Sequence, residues 1–152
     1  MPSAVSHIGV CVTDMDKARH FYEGVFGFRS AFGFATDDPV SAQLLRLAPP
    51  ASLDADYLWL DGLLLELLAF DPAAPRQPRV MNEPGLTHLS FFVDDLDATV
   101  AAIEQFGGVV RADTNVGVAV FVEDPDGQMI ELVGPGGRFR DMRDRAVGAL
   151  DP

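Results

Sequence analysis

Two histidines and two glutamates are the residues of this chain best placed to do chemistry, because each stands at a matching position of a repeated segment. His7 recurs as His88, and Asp14, Asp16 and Gly27 recur at the same offset of 81 positions as Asp95, Asp97 and Gly108. Asp61-Gly62 and Leu65-Glu66-Leu67 recur 65 positions later as Asp126-Gly127 and Ile130-Glu131-Leu132. The smaller second offset means that the first copy carries a longer middle. Each copy therefore opens with an imidazole and closes with a carboxylate, both in apolar surroundings. Two imidazoles and two carboxylates form a divalent-metal ligand set. The carboxylates also balance the charge of a divalent cation, which matters because a buried carboxylate is unfavourable unless its charge is compensated.

The elements that must position these groups can be read from hydrophobic spacing. Val5, His7, Gly9 and Cys11 alternate with Ile8, Val10 and Val12 over residues 5–13, which predicts a strand. Thr13-Asp14-Met15-Asp16 offers helix caps, and Ala18, Phe21, Tyr22, Val25 and Phe26 come next at helical spacing up to Gly27. Residues 28–34, 42–48 and 57–60 are expected to be strands, and Asp61-Gly62 a hairpin turn into a closing strand over 63–70. The second copy repeats the plan. It has a strand at 86–93, a helix ending at Gly107-Gly108, strands at 109–111 and 116–122, a turn at 123–127 and a last strand at 128–133. In a strand the residues flanking each Glu point to the opposite face, so Glu66 and Glu131 are expected to face inward, into a concave surface. Each unit leaves one sheet face uncovered, and two units are expected to pair.

The predicted organisation is a single domain: residues 5–70 as a first βαβββ module, a Pro-rich linker at 71–85, residues 86–134 as a second module, and a tail at 135–152. In that tail Phe139, Met142, Ala146, Val147 and Leu150 fall at the spacing of a short helix. A length of 152 residues suits one domain, and 48% hydrophobic residues suit a folded one. The net charge of −12 and the lack of a basic stripe argue against nucleic acid as a partner. No apolar run approaches the ~20 residues that span a bilayer. The opening residues lack the basic and apolar stretches of a secretory leader, and Cys11 is the single cysteine, so a cytoplasmic location is expected.

Other polar residues have plainer readings. Asp14, Asp16, Asp95 and Asp97 are helix-capping residues, and Asp124, Asp126 and Gly127 are turn residues rather than a calcium loop. His20 has no repeat partner and reads as a surface or packing residue. Cys11 reads as a packing or substrate-contact residue, because no general base is placed for it. Phe32, Phe34, Trp59, Phe91 and Phe121 are candidates to line a cup.

These motifs resemble the vicinal oxygen chelate superfamily, also called the glyoxalase/bleomycin-resistance/extradiol-dioxygenase superfamily. The carrying segments are His7-Ile-Gly-Val with Asp14-Met-Asp16 and the run from Phe21 to Phe28. In the second half they are His88-Leu-Ser-Phe with Val93 to Asp97, and Phe121 to Gly127 continuing through Ile130-Glu131-Leu132. The resemblance implies an α+β glyoxalase-type fold in which paired βαβββ modules form an eight-stranded open cup around one metal ion. It also implies that His7, Glu66, His88 and Glu131 occupy the four ligand positions, as in glyoxalase I-like members, and that the protein is a homodimer. The modules would then pair within a chain or between chains.

For activity, the resemblance implies a metal-dependent lyase or isomerase that stabilises the enediolate of a small carbonyl or thioester substrate, with Glu131 as first choice of base and Glu66 as second. The donor set suits Ni, Co, Mn, Fe, Mg or Zn. Two positions depart from glyoxalase I itself: Cys11 stands where that enzyme carries an Arg, and Phe70 where it carries an Asn, which argues against glutathione as substrate carrier. The alternatives are an Fe(II) extradiol-type dioxygenase, using His7, His88 and Glu131, and a non-enzymatic protein that binds a small molecule such as an antibiotic.

Overall fold

Parallel pairing of the first and last strand organises each half of the chain. The computed structural model describes residues 4–75, 77, 80–136 and 138–150. The chain divides into two compact units, Met1–Arg79 and Val80–Pro152. In the first, β1 (Ile8–Val12) leads through α1 (Met15–Phe26) to β2 (Arg29–Thr36), α2 (Pro39–Leu44), β3 (Ser52–Leu60) and β4 (Leu63–Asp71). The sheet order is β1-β4-β3-β2, with β1 parallel to β4 and the other pairs antiparallel. In the second, β5 (Leu89–Phe92), α3 (Leu96–Gln105), β6 (Val109–Val110), a 3-10 turn (Ala112–Thr114), β7 (Ala119–Glu123) and β8 (Met129–Val133) repeat the plan in the order β5-β8-β7-β6. Helix α4 (Arg138–Leu150) comes last. The architecture is thus α+β, with two four-stranded mixed sheets. No helix among the described residues is long and apolar enough to cross a membrane.

Capping residues set the helix boundaries. The Asp14 side chain accepts from the Lys17 amide and the Asp95 side chain from the Ala98 amide, at 3.0 and 2.9 Å. Gly27 ends α1 in the left-handed conformation, at φ 75°. The β3–β4 hairpin turns at Asp61 and Gly62, both with positive φ, as a tight two-residue turn requires.

One expected strand is a helix instead. Residues 42–48 read as extended, but Pro39–Leu44 form α2. The deciding residues lie just before the apolar ones. Asp38 is the N-cap, with Oδ1 accepting from the Val40 and Ser41 amides, and Pro39 supplies the first helical φ without needing a donor. The hydroxyls of Ser41 and Thr36 also donate to Asp38 and hold its carboxyl well below the usual range.

Strand alternation assigns each sheet a packed face and a second face. In the first unit Val10, Val12, Leu58, Leu65 and Leu67 are buried, and α1, with Ala18, Phe21 and Tyr22 buried, packs on β4. In the second, Val120, Val122, Ile130 and Leu132 are buried together with Ile103 of α3. Burial of each such side chain contributes about 1.5–3 kcal/mol. The side chains between them, Glu66 and Glu131 included, must take the other face.

Gly33 on β2 is required by close approach: a Cβ there would stand 2.8 Å from the Ala55 carbonyl oxygen and 3.2 Å from Asp56 Oδ1. Gly33→Ala is therefore expected to destabilise the protein by about 1–3 kcal/mol, read as a lower denaturation midpoint. An unchanged midpoint would show that β2 and β3 separate freely at this point.

Candidate functional site

Register places one carboxylate of each unit in a row across three strands. In the first unit Glu66 on β4 lies opposite Gly9 on β1 and opposite Tyr57 on β3. His7 stands just before β1, on the same face as Gly9, and reaches diagonally to the carboxylate, with Nε2 3.1 Å from Glu66 Oε2. The Tyr57 hydroxyl donates to the other oxygen, Oε1. A Cβ at Gly9 would lie 3.5 Å from Glu66 Oε2 and 3.3 Å from Leu68 Cδ1, so the glycine leaves the carboxylate its room.

The second unit repeats the row with the hydroxyl moved. Glu131 on β8 lies opposite Ser90 on β5 and Phe121 on β7. His88 stands just before β5, with Nε2 3.7 Å from Glu131 Oε2. Ser90 occupies the place of Gly9 and donates to Glu131 Oε2 at 2.8 Å. Phe121 occupies the place of Tyr57 and has no hydroxyl to give. Both histidines meet their aromatic neighbour edge-on, at centroid distances of 5.5 Å for His7–Tyr57 and 5.2 Å for His88–Phe121.

A hydroxyl residue precedes each histidine and holds its other nitrogen. Ser6 Oγ lies 3.0 Å from His7 Nδ1, and Thr87 Oγ1 lies 2.9 Å from His88 Nδ1. Such a contact fixes the ring and leaves Nε2 for the carboxylate side.

The two carboxylates are held unequally. Glu66 has a side chain 12% exposed, with His7 on one oxygen and Tyr57 on the other. Glu131 is 28% exposed and meets both His88 and Ser90 through a single oxygen. Burial, then the hydrogen bond and charge of Glu66, pushes the Tyr57 hydroxyl up to about 12, so it stays protonated and remains a donor.

Within each unit the donor types and their spacing suit two ligands of one divalent ion. Ligand atoms about 2.1 Å from one ion stand about 3.0 Å apart at a right angle and about 3.4 Å apart at the tetrahedral angle. The observed 3.1 Å pair matches the first, and the 3.7 Å pair would have to close by about 0.7 Å for a right angle or about 0.3 Å for the tetrahedral angle. Among the described residues no group of three or more His, Cys, Asp or Glu side chains is gathered closely enough to hold a metal, so what each unit offers by itself is one imidazole–carboxylate pair.

The remaining sequence candidates divide between the two faces. Phe32 stacks on Tyr57 at 4.3 Å, and Phe34 lies 6.4 Å from the same ring, so both belong to the Glu66 face, as does Trp59 by alternation. Phe121 shares the Glu131 face, whereas Phe91 pairs with Leu132 and points to the opposite side. Cys11 is exposed on β1, on the face of Gly9.

Four contributors were not singled out by sequence reasoning. Tyr57 was legible in principle, because the two-residue turn at Asp61-Gly62 fixes the hairpin register that sets it against Glu66. Ser6 and Thr87 are themselves a repeat pair at the 81-residue offset. Ser90 had no such signal, since its counterpart is Gly9.

Tyr57→Phe keeps the ring packing but leaves a buried carboxylate oxygen without its donor. It is expected to destabilise the protein by about 1–3 kcal/mol, whereas Ser90→Ala, beside the more exposed Glu131, is expected to cost less than about 1 kcal/mol. Denaturant unfolding of the two variants checks this; equal losses would contradict the unequal hold.

Comparison with known proteins agrees with this architecture. Residues 4–132 match the model of the Glyoxalase/Bleomycin resistance protein/Dioxygenase superfamily. The uncharacterized protein YaeR of Escherichia coli (strain K12) is 31% identical over 132 residues, 84% of this chain and 93% of that protein. A glyoxalase family protein of Bacillus cereus superposes with a TM-score of 0.75 at 16% identity, covering 88% of this chain and 95% of its own. The fosfomycin resistance protein FosX of Listeria monocytogenes, complexed with Mn(II) and sulfate, superposes with a TM-score of 0.63 at 19% identity, covering 92% and 98%. With the repeated strand plan, the matched histidine–glutamate pairs and a family model covering most of its length, this chain belongs to the Glyoxalase/Bleomycin resistance protein/Dioxygenase superfamily.

Proposed function

We propose that the protein is a divalent-metal-dependent enzyme of the glyoxalase-like lyase or isomerase type. It abstracts a proton next to the carbonyl of a small substrate and stabilises the resulting enediolate. His7, Glu66, His88 and Glu131 are the metal ligands in this reading, each unit supplying one imidazole and one carboxylate. The observation that carries it is the matched approach of Nε2 to a carboxylate oxygen in both units, at 3.1 and 3.7 Å across equivalent parallel strand pairs. Random polar residues in two sheets would not share a register. The Mn(II) held by the Listeria FosX is in keeping with this donor set.

The two glutamates take different roles. Glu66 is fixed by Tyr57 and His7 and serves as a permanent ligand. Glu131 is the more exposed and is bonded through one oxygen, so it can turn to receive a proton; it is the base. A divalent cation bound at these residues would polarise the substrate carbonyl and offset the charge that develops on its oxygen. The hydroxyls of Ser6 and Thr87 keep each imidazole oriented. A homodimer and a cytoplasmic location belong to the same proposal. A dioxygenase would instead require Glu66 to stay off the metal, which its pairing with His7 Nε2 disfavours.

Solvent deuterium exchange at the carbon next to the carbonyl of short α-hydroxyketones tests the proposal. Exchange is expected to disappear on chelation, return with added Mn(II), Ni(II) or Co(II), and fall by about 10²–10⁴-fold at saturating metal in Glu131→Gln. Retention of full exchange in that variant or in metal-free protein, or oxygen uptake on a catechol with Fe(II), would contradict it.

A further inference from the structure

A cavity of about 350 Å³ lies within the second unit and has Glu131 in its lining. Its other walls are Val118, Ala119 and Val133 of the β7–β8 region and Arg138, Phe139 and Met142 of α4. The volume is at the lower end of the range for small-molecule sites. We propose that this cavity is the substrate subsite, and that Arg138 makes it selective for a small oxyanion, a carboxylate or phosphonate carrying a short apolar body. This rests on the reading of Glu131 as the base and adds to it the class of compound that Glu131 meets.

The walls divide sharply in character. Among the described residues of the lining, Arg138 is the only charged one apart from Glu131, and the rest are apolar. Phe139 and Met142 are each 58% exposed, so their inner surfaces are not consumed by packing and are open to an apolar ligand. Two neighbouring arginines of α4 are engaged: Arg140 pairs with Asp94 at 3.6 Å and lies 4.8 Å from the Phe92 ring, and Arg143 pairs with Asp144 at 3.0 Å; Arg145 has no ion pair among the described residues but does not line this cavity. Elsewhere Arg19 pairs with Asp56 and Arg111 with Glu123, whereas Arg29 and Arg46 have no ion pair among the described residues and lie outside this cavity. Arg138 has no ion pair among the described residues. Its position is not explained by helix stability either, because a cation in the first turn opposes the peptide dipoles. In a chain of net charge −12 a guanidinium without a carboxylate partner, set in a cavity beside a glutamate, is placed to receive charge from a ligand. A planar fork of donors suits both carboxylate and phosphonate oxygens. The apolar walls then hold the substituent, and the carbonyl is left for the Glu131 end.

Binding of α-ketobutyrate, its neutral amide and propylphosphonate to the full-length protein separates the possibilities. Calorimetry would be run on wild type, Arg138→Gln and Arg138→Lys, with and without Mn(II), and Mn(II) affinity would be measured separately for each protein. The expected result is that at least one anion binds wild type about tenfold or more tightly than Arg138→Gln, that Arg138→Lys recovers part of the loss, and that the amide and Mn(II) bind all three alike. Which anion binds identifies the oxyanion. Equal binding of both anions to wild type and Arg138→Gln, or no anion binding to wild type, would overturn the inference. Failure of wild type to take up Mn(II) would instead count against the metal reading, and the metal-free titrations would still report on Arg138.

Discussion

The meeting of each histidine with its glutamate depends on the parallel ladder between the first and last strand of each unit. A parallel pair cannot be closed by a tight turn, so the chain must travel through a helix and two further strands before it returns. That detour brings a residue from the start of the module beside one from its end. In the first unit it sets Gly9 opposite Glu66 and lets His7 reach the carboxylate. In the second it does the same for Ser90, Glu131 and His88. The side-chain period of two then settles the rest. Leu65, Leu67, Ile130 and Leu132 go into the packed face, and the glutamates between them have nowhere else to point.

The repeat is not a copy in its polar details. One hydroxyl supports each carboxylate, but from opposite sides: Tyr57 from the hairpin strand in the first unit, Ser90 from the parallel strand in the second. Tyr57 is itself buried and stacked on Phe32, so its hydroxyl is fixed in place. A serine hydroxyl beside a glutamate open to water offers a weaker hold. Duplication thus supplies two similar imidazole–carboxylate pairs, and a few substitutions leave one carboxylate held at both oxygens and the other at one. In the proposed proton abstraction this division would let Glu66 stay a ligand while Glu131 acts as base.

Much of this was legible in the residues. The repeat pointed to His7, Glu66, His88 and Glu131, and alternation put each glutamate on the sheet face opposite its buried neighbours. Asp14, Asp95 and Gly27 act as the helix caps their positions suggest. What failed did so for physical reasons. Residues 42–48 have the apolar content of a strand, but the cap at Asp38 and the proline after it start a helix just upstream. Tyr57 escaped notice because its importance comes from register with Glu66, a tertiary fact. Phe91 and Phe121 looked alike as aromatic residues of strands, yet one position of the alternation separates the packed face from the site face. Arg138 could not be distinguished from the other arginines of its helix until the cavity beside Glu131 was seen.

The central claim is that both imidazole–carboxylate pairs are ligands of a divalent ion. Titration of metal-free protein with Mn(II), monitored by electron paramagnetic resonance, tests it most directly. The account predicts one ion per chain, with His7→Ala and His88→Ala each weakening it by about tenfold or more while the protein stays folded. Stoichiometric binding that survives both substitutions, or no binding by the wild-type protein, would contradict it.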